Sequence, residues 1–570
     1  MNDLTRRLDG RGRLRLNQFS VSISQTFQLL TKKPNHQHCQ SDSSHVQRAI
    51  DVLCVVVLVT YFLYFALPAI GRNLADDEFP ELWKYWLYGP LKWLLANICF
   101  WRETVTFFRP AGVFFLGVLY HFFGLNPRPY AIAQIGIMAA SIPMLYYLAR
   151  SLSSSRSIAF LAVLALCYHG ELVDLVFIGS FMYDLLCGFF YFAALTYYIH
   201  IRERGAQLRP LQLLGFLALY VCALDFKEIA VTLPVIVLIY ELLKCHRWGD
   251  WRQFVSWARS LAAPALIAGL LTAPYVYGRI HGPESLTTWE VYLPRYSLSS
   301  FFKSNAHFVS ELLYYPTGFP HMISKEALLG LWALVFIYAF LRRDRMLQLM
   351  AFWIVIVPLP LAFIVPIRGS GHLYLLLFGW AMIFAKVASD LIALISNSSI
   401  LIGRGIGVGA ATGAIIGGAA TGRVRGAAIG AMAGAAAAKM SAPTFRVLAT
   451  LMVASALVIF THWEIKRSGV IPAFLSEGQK ASHAVQAFRS LNLHPASGST
   501  ILLKGDSFRD GSSDLLPLFI ASLVWKDHSL QIFQEGINKL TPEQLANMDY
   551  IISLSEFQAE IVHGPQSQRR

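Results

Sequence analysis

The chain has 570 residues, of which 55% are hydrophobic and only 14% charged, with 48 Lys and Arg against 34 Asp and Glu for a formal charge of +14. That apolar content excludes an ordinary soluble globular protein and points to a polytopic membrane protein. In such a chain the basic excess belongs to cytoplasmic loops rather than to nucleic-acid binding.

Residues 1–48 are polar and basic, with Arg6, Arg7, Arg11, Arg13, Arg15, Lys32 and Lys33. They read as a cytoplasmic arm able to meet anionic lipid, not as a cleavable signal. About eleven apolar runs long enough to span follow, near 50–70, 130–150, 156–174, 176–199, 211–226, 229–244, 260–278, 326–341, 347–366, 371–396 and 445–462. Arginine and lysine cluster in alternate loops: Arg150 and Arg156, then Arg202, Arg204 and Arg209, then Lys244, Arg247, Arg252 and Arg259, then Arg342, Arg343 and Arg345. Acids collect in the others. The bias places the N-terminus in the cytoplasm and residues 463–570 outside it.

Residues 71–129 exceed a plain loop. Two aromatic, amphipathic stretches, 82–98 and 111–123, are expected to lie flat at the membrane surface with Trp83, Trp86, Trp93 and Trp101 at headgroup level. In 401–441, glycines recur at 405, 409, 413 and 417, then at 422, 426, 430 and 434. These GxxxG ladders predict a close-packed helical hairpin and offer a surface for self-association. A last span (442–462) precedes 463–570, where strand-like runs at 499–503, 530–533 and 550–553 alternate with helical patterns at 477–491 and 514–524. That alternation predicts a small α/β domain.

Four constellations can carry chemistry. Asp76, Asp77 and Glu78 follow the first span directly, and carboxylates at a membrane edge can deprotonate a hydroxyl acceptor. Glu171 and Asp174 stand near the next outer exit, and Asp184 lies inside an apolar helix, where an acid needs a partner or a cavity. Asp225-Phe226-Lys227-Glu228 makes a tight outer turn with an ion pair in reach. Arg368 stands among glycines before His372 and Tyr374, where a guanidinium can fork onto a phosphate. The seven cysteines form no CxxC pair and the histidines are isolated. No metal motif, P-loop or GxSxG appears, so no cofactor is expected, although assistance by a divalent metal stays open.

These stretches resemble the GT-C membrane glycosyltransferases, above all the protein O-mannosyltransferase branch. Asp76-Asp77-Glu78 looks like that family's acidic motif in the first outer loop. Phe107-Phe108-Arg109-Pro110 and Phe123-Gly124-Leu125-Asn126-Pro127 look like the arginine–proline run before helix two. Asp184 falls where relatives carry an acid, Phe226–Pro234 looks like their Lys-Glu signature, and Arg368–Tyr374 is similar to a later motif, with His372 in place of the usual arginine. The resemblance implies an all-α GT-C-like transmembrane domain over 49–400 with the α/β domain appended, multi-pass in the inner (plasma) membrane. It implies inverting transfer of a sugar from a polyprenyl-phosphate donor to a hydroxyl acceptor. Asp77 is then the expected base, Asp76 the alternative and Glu78 the third acid. Arg109, Asp184, Lys227, Glu228, Arg368 and Tyr374 are expected around the donor. A secondary transporter or a scaffold oligomerising through the glycine ladders are the rival readings.

Overall fold

The computed structural model describes residues 37–74, 77–98, 109–205, 207–244, 251–281, 293–314, 323–364, 371–401, 461–466, 468–476, 478–505, 515–555 and 558–564. The glycine ladders at 403–440 and residues 445–460 of the span expected at 445–462 lie outside the described residues. The chain divides by its contacts into residues 1–57 and 58–570. What is described of the first unit is helical, and Val46, Ile50, Val52, Leu53, Val56 and Val57 on it are exposed apolar side chains.

Most helices fall on the expected apolar runs, and Trp251–Ser260 and Leu298–Leu312 are additions to them. In chain order they are α1 (Gln37–Ala66), α2 (Glu78–Ile98), α3 (Pro110–Phe123), α4 (Pro127–Ser153), α5 (Arg156–Cys167), the short α6 (Asp174–Phe177), α7 (Met182–Glu203), α8 (Pro210–Phe226), α9 (Leu233–Lys244), α10 (Trp251–Ser260), α11 (Ala263–His281), α12 (Leu298–Leu312), α13 (Lys325–Leu341), α14 (Arg345–Ile356), α15 (Leu359–Ala362) and α16 (Tyr374–Leu401). Proline opens α3, α4 and α8, where a missing N–H costs nothing. Asn126, Ser155, Ser297, Ser324 and Asp344 cap the helices that follow them. Among the described residues, five helices are long and apolar enough to cross a membrane, or six if the bent pair Arg156–Cys167 and Gly170–Phe177 is one span. Others expected to span are shorter as helices. The run expected at 229–244 opens as the 3-10 turn Glu228–Thr232, leaving α9 at 12 residues, and α14 stops before Val357-Pro358.

Helix α7 is the spine of the bundle and packs against α8 and α4. Its 22 residues extend about 33 Å, close to the thickness of a bilayer core. A buried ion pair pins each end. Arg202 meets Glu241 through Nε–Oε1 at 2.7 Å and Nη2–Oε2 at 3.0 Å, with Tyr198 donating to the same carboxylate. At the other end Asp184 meets Lys227. Charge in apolar surroundings persists only when paired in this way.

The C-terminal region holds α17 (Ile471–Ser476), α18 (Gln479–Ser490), β1 (Thr500–Lys504), α19 (Leu516–Trp525), β2 (Gln531–Gln534), α20 (Pro542–Ala546), β3 (Tyr550–Leu554) and β4 (Ala559–His563). The sheet order is β2-β1-β3-β4, with β1 parallel to both neighbours and β4 antiparallel at the edge. The expected strands and helices are present, and β4 is an addition. This sheet belongs to the same unit as the bundle, and α2 and α3 share one hydrophobic cluster with it. Trp83 meets Phe519 at 5.0 Å between ring centroids, Trp86 stacks on His528 at 3.9 Å, and Trp93 is fully buried. Of the tryptophans expected at headgroup level, Trp83, Trp86 and Trp93 are thus at least partly covered by protein, α19 supplying the apolar surface against Trp83, and Trp101 lies outside the described residues.

Candidate functional site

The first part of the site is built at the mouth of α2. Glu78 is fully buried, with Oε2 3.1 Å from Arg72 Nη1. Arg72, equally buried, donates through Nη2 to Gln134 Oε1 at 3.2 Å. Gln134 Nε2 donates in turn to the carbonyls of Leu175 at 2.7 Å and Ile178 at 2.9 Å. The fit is close: a Cβ on Gly179 would fall 1.8 Å from Glu78 Oε1. Glu78 thus departs from the expected role of a candidate base. A carboxylate bound to a guanidinium and sealed from solvent has no route to an acceptor hydroxyl. Asp77, the residue before it, is exposed in the turn that opens α2. Asp76 lies outside the described residues.

The second part gathers four residues. Arg109 stands at the start of α3 in the left-handed region (φ 50°), an uncommon conformation for a residue other than glycine. Its guanidinium lies 5.7 Å above the Tyr183 ring, and Nη2 donates to Glu228 Oε2 at 3.2 Å. The Lys227 ammonium is 2.5 Å from the Asp184 carboxylate. Cys187, one turn further along α7, feels the charges of Asp184, Lys227, Glu228 and Arg109. Tyr183 feels those of Arg109, Glu81 and Glu78. The structure therefore brings Arg109, Asp184, Lys227 and Glu228 together from three separate stretches and sets them beside the Glu78 turn. Local sequence explains how. Lys227 is extended between α8 and the 3-10 turn Glu228–Thr232, so the two side chains leave in different directions, one to Asp184 and one to Arg109.

The third part lies around the bend between α5 and α7. Asp174 is buried and its Oδ2 accepts the Gly371 N–H at 3.0 Å. His372 packs edge-on against Phe308. Tyr374, expected near the donor, is instead buried against Gly188 and Phe192. Its role is packing, since the side chain enters the bundle at the first turn of α16. Arg368 lies outside the described residues.

Three participants were missed by sequence reasoning: Arg72, Gln134 and Glu464. Glu464 is fully buried. Its Oε2 accepts the Gly170 N–H at 2.6 Å and its Oε1 accepts the Tyr314 hydroxyl. Burial pushes its carboxyl up to about 7, against the two hydrogen bonds that hold it down. The available signal was a lone acid at the exit of the last apolar run. Among the described residues no group of three or more His, Cys, Asp or Glu side chains is placed to hold a metal ion.

No family model and no curated protein matches the chain. Its backbone is similar to the crystal structure of ArnT from Cupriavidus metallidurans bound to undecaprenyl phosphate, at 15% identity over 85% of this chain and 86% of that one, with a TM-score of 0.45. The apo state of the same protein gives 13% identity, 86% coverage of both chains and a TM-score of 0.44. The archaeal oligosaccharyltransferase AglB from Archaeoglobus fulgidus, in complex with an inhibitory peptide and a dolichol-phosphate, gives 11% identity over 89% of this chain and 69% of that one, with a TM-score of 0.43.

Proposed function

We propose that this chain transfers a sugar, with inversion, from a polyprenyl-phosphate-linked donor to a hydroxyl acceptor at the non-cytoplasmic edge of the membrane. The observation that carries the reading is the meeting of the Arg109–Glu228 and Asp184–Lys227 pairs at the start of α7, five residues from Gly179, which packs on Glu78, the neighbour in sequence of the exposed Asp77. In the reaction the acceptor oxygen attacks the anomeric carbon as the bond from that carbon to the phosphate oxygen breaks. The acceptor proton passes to Asp77, and the electron pair leaves on the lipid phosphate. Because the phosphate leaves as an anion it needs no proton, only nearby cations. Arg109 supplies a guanidinium fork of which part reaches solvent, and Lys227 a second positive centre. The ion pairs hold these cations in place before the donor arrives, so little reorganisation accompanies reaction.

The test is direct. Full-length protein in lipid nanodiscs is given a panel of radiolabelled polyprenyl-phosphate hexoses with a hydroxyl acceptor. Release of free polyprenyl phosphate together with labelled, anomerically inverted product supports the reading. Absence of release from every donor, with intact folded protein, overturns it.

A further inference from the structure

The segment from Glu464 to Gly478 makes contacts that nothing in its own composition announces. At one end, Glu464 is held between the Gly170 N–H and the Tyr314 hydroxyl, and that hydroxyl accepts a second bond from the same Gly170 N–H at 3.1 Å. Tyr314 adopts a left-handed backbone (φ 54°) and stacks flat on His169 at 4.4 Å. A bulky residue such as tyrosine is strained in that region, so the contact is maintained against a local cost. Four residues beyond Gly170, Asp174 grips the Gly371 N–H, and the carbonyls of Leu175 and Ile178 hold Gln134 and through it Arg72 and Glu78. At the other end, the Leu475 carbonyl accepts from Asn73 Nδ2 at 3.3 Å. Gly478 (φ 73°) lies so close to Leu74 that a Cβ there would fall 2.2 Å from the Leu74 carbonyl oxygen. Between these ends, α17 packs on α6.

We propose that Glu464 is a positioning residue for the site, and that the segment it begins is a strap holding the Asp77 turn and the 168–174 bend in register. The inference rests on the reading of Asp77 as the base. Glu464 touches no reacting atom. It acts through Gly170 on the bend, whose carbonyls hold the Gln134–Arg72–Glu78 chain, while Leu475 and Gly478 hold residues 73 and 74 from the opposite side. The two loops on which the chemistry depends are therefore tied to one downstream segment rather than to each other alone.

The experiment compares wild type, Glu464→Gln, Glu464→Ala and Tyr314→Phe as full-length protein in nanodiscs. Two readouts are taken: turnover of the polyprenyl-phosphate hexose donor, and hydrogen–deuterium exchange at residues 72–78 and 168–174. The glutamine amide can still accept from Gly170 and can donate to the Tyr314 oxygen. Glu464→Gln is therefore expected within about three-fold of wild-type kcat, with exchange unchanged. Glu464→Ala is expected to lower kcat by about 10²-fold with KM for the donor little altered, and to speed exchange in both loops. Tyr314→Phe, which removes a single hydroxyl, should move both readouts the same way by less, and it serves where the alanine variant does not fold. Wild-type kcat and unchanged exchange in Glu464→Ala or Tyr314→Phe overturn the strap. If wild type turns over no donor, the functional reading has failed, and exchange at residues 72–78 alone decides the strap.

Discussion

Lys227 and Asp184 approach to 2.5 Å although they stand 43 positions apart in sequence, and both are nearly sealed from solvent. Each is the condition for the other's burial, because either charge alone in that environment would be forced to neutralise or to rearrange.

Removing one partner should therefore cost more than removing both. Lys227→Ala or Asp184→Ala is expected to lose roughly 3–5 kcal/mol of stability, and the double variant distinctly less than the sum. Thermal unfolding of the four proteins in one detergent, read as a double-mutant cycle, checks this. Additive losses would mean that the pair is not coupled.

The acids at the mouth of α2 should separate by kind of defect. Asp77→Asn changes an exposed side chain, so thermal stability should stay near wild type while transfer falls by roughly 10²-fold or more. Glu78→Gln leaves the buried Arg72 guanidinium facing a neutral amide and should lose roughly 1.5–3 kcal/mol of stability. Parallel melting curves and transfer assays distinguish the two. An unstable Asp77→Asn protein would contradict the exposed placement.

Gly179→Ala tests the seat of Glu78. The added methyl would fall 1.8–2.4 Å from the carboxylate atoms of Glu78. That carboxylate cannot swing away cheaply because Arg72 holds it. The expected cost is roughly 1–3 kcal/mol with a loss of transfer, whereas Gly136→Ala, where the new methyl meets nothing within 4 Å, serves as the neutral control. Equal melting temperatures for the two variants would show that the Glu78 seat gives way freely.

Much of this site was legible in sequence for one physical reason. Charge inside an apolar run must find a partner, and that rule singles out Asp184 without a structure, while Lys227 and Glu228 stand out as charges in a tight turn between two apolar runs. Arg109 stood out only through the resemblance of Phe107–Pro110 to the family's arginine–proline run. The same rule does not say which member of an acidic triplet turns inward. Asp77 and Glu78 differ by one position at a helix start, and only the location of Arg72 and Gln134 decides between them. Tyr374 was placed by motif, yet its environment is set by Gly188 and Phe192, which lie on another helix. Glu464 escaped because the residues around it, Trp463 and Lys466, read as an ordinary polar flank of a membrane exit. Its partners at 170 and 314 are contacts that no local pattern encodes. The fold was legible where hydrophobic period dictates it, and β4 was not, because Ala559–His563 is a short, mostly exposed edge strand with weak alternation.

Glu464 also gives a pH signature of stability. Its folded carboxyl is raised from the usual value near 4.5 to about 7 by burial. The folded protein therefore holds a proton that the unfolded chain releases. The associated stability is fully present below about pH 4.5 and is lost as pH rises through about 7. At most roughly 3 kcal/mol is involved. The melting temperature of wild type minus that of Glu464→Gln should fall as pH is raised from 5 to 8. A difference that is flat with pH would mean that Glu464 titrates normally.

The Asn73–Leu475 bond joins residues 402 positions apart, and this separation sets an order of events during synthesis. The chain is made from its N-terminus at about 5–20 residues per second, so α1 and the Asp77 turn emerge long before the strand-bearing region that closes over them. Until residues 464–478 are translated and docked, Arg72, Gln134 and the 168–174 bend lack their last supports. A ribosome stalled anywhere in the bundle would leave those contacts unmade. The segment 464–478 thus acts as a late check on assembly: only a molecule translated through it has the supports of residues 73–74 and of Gly170 in place.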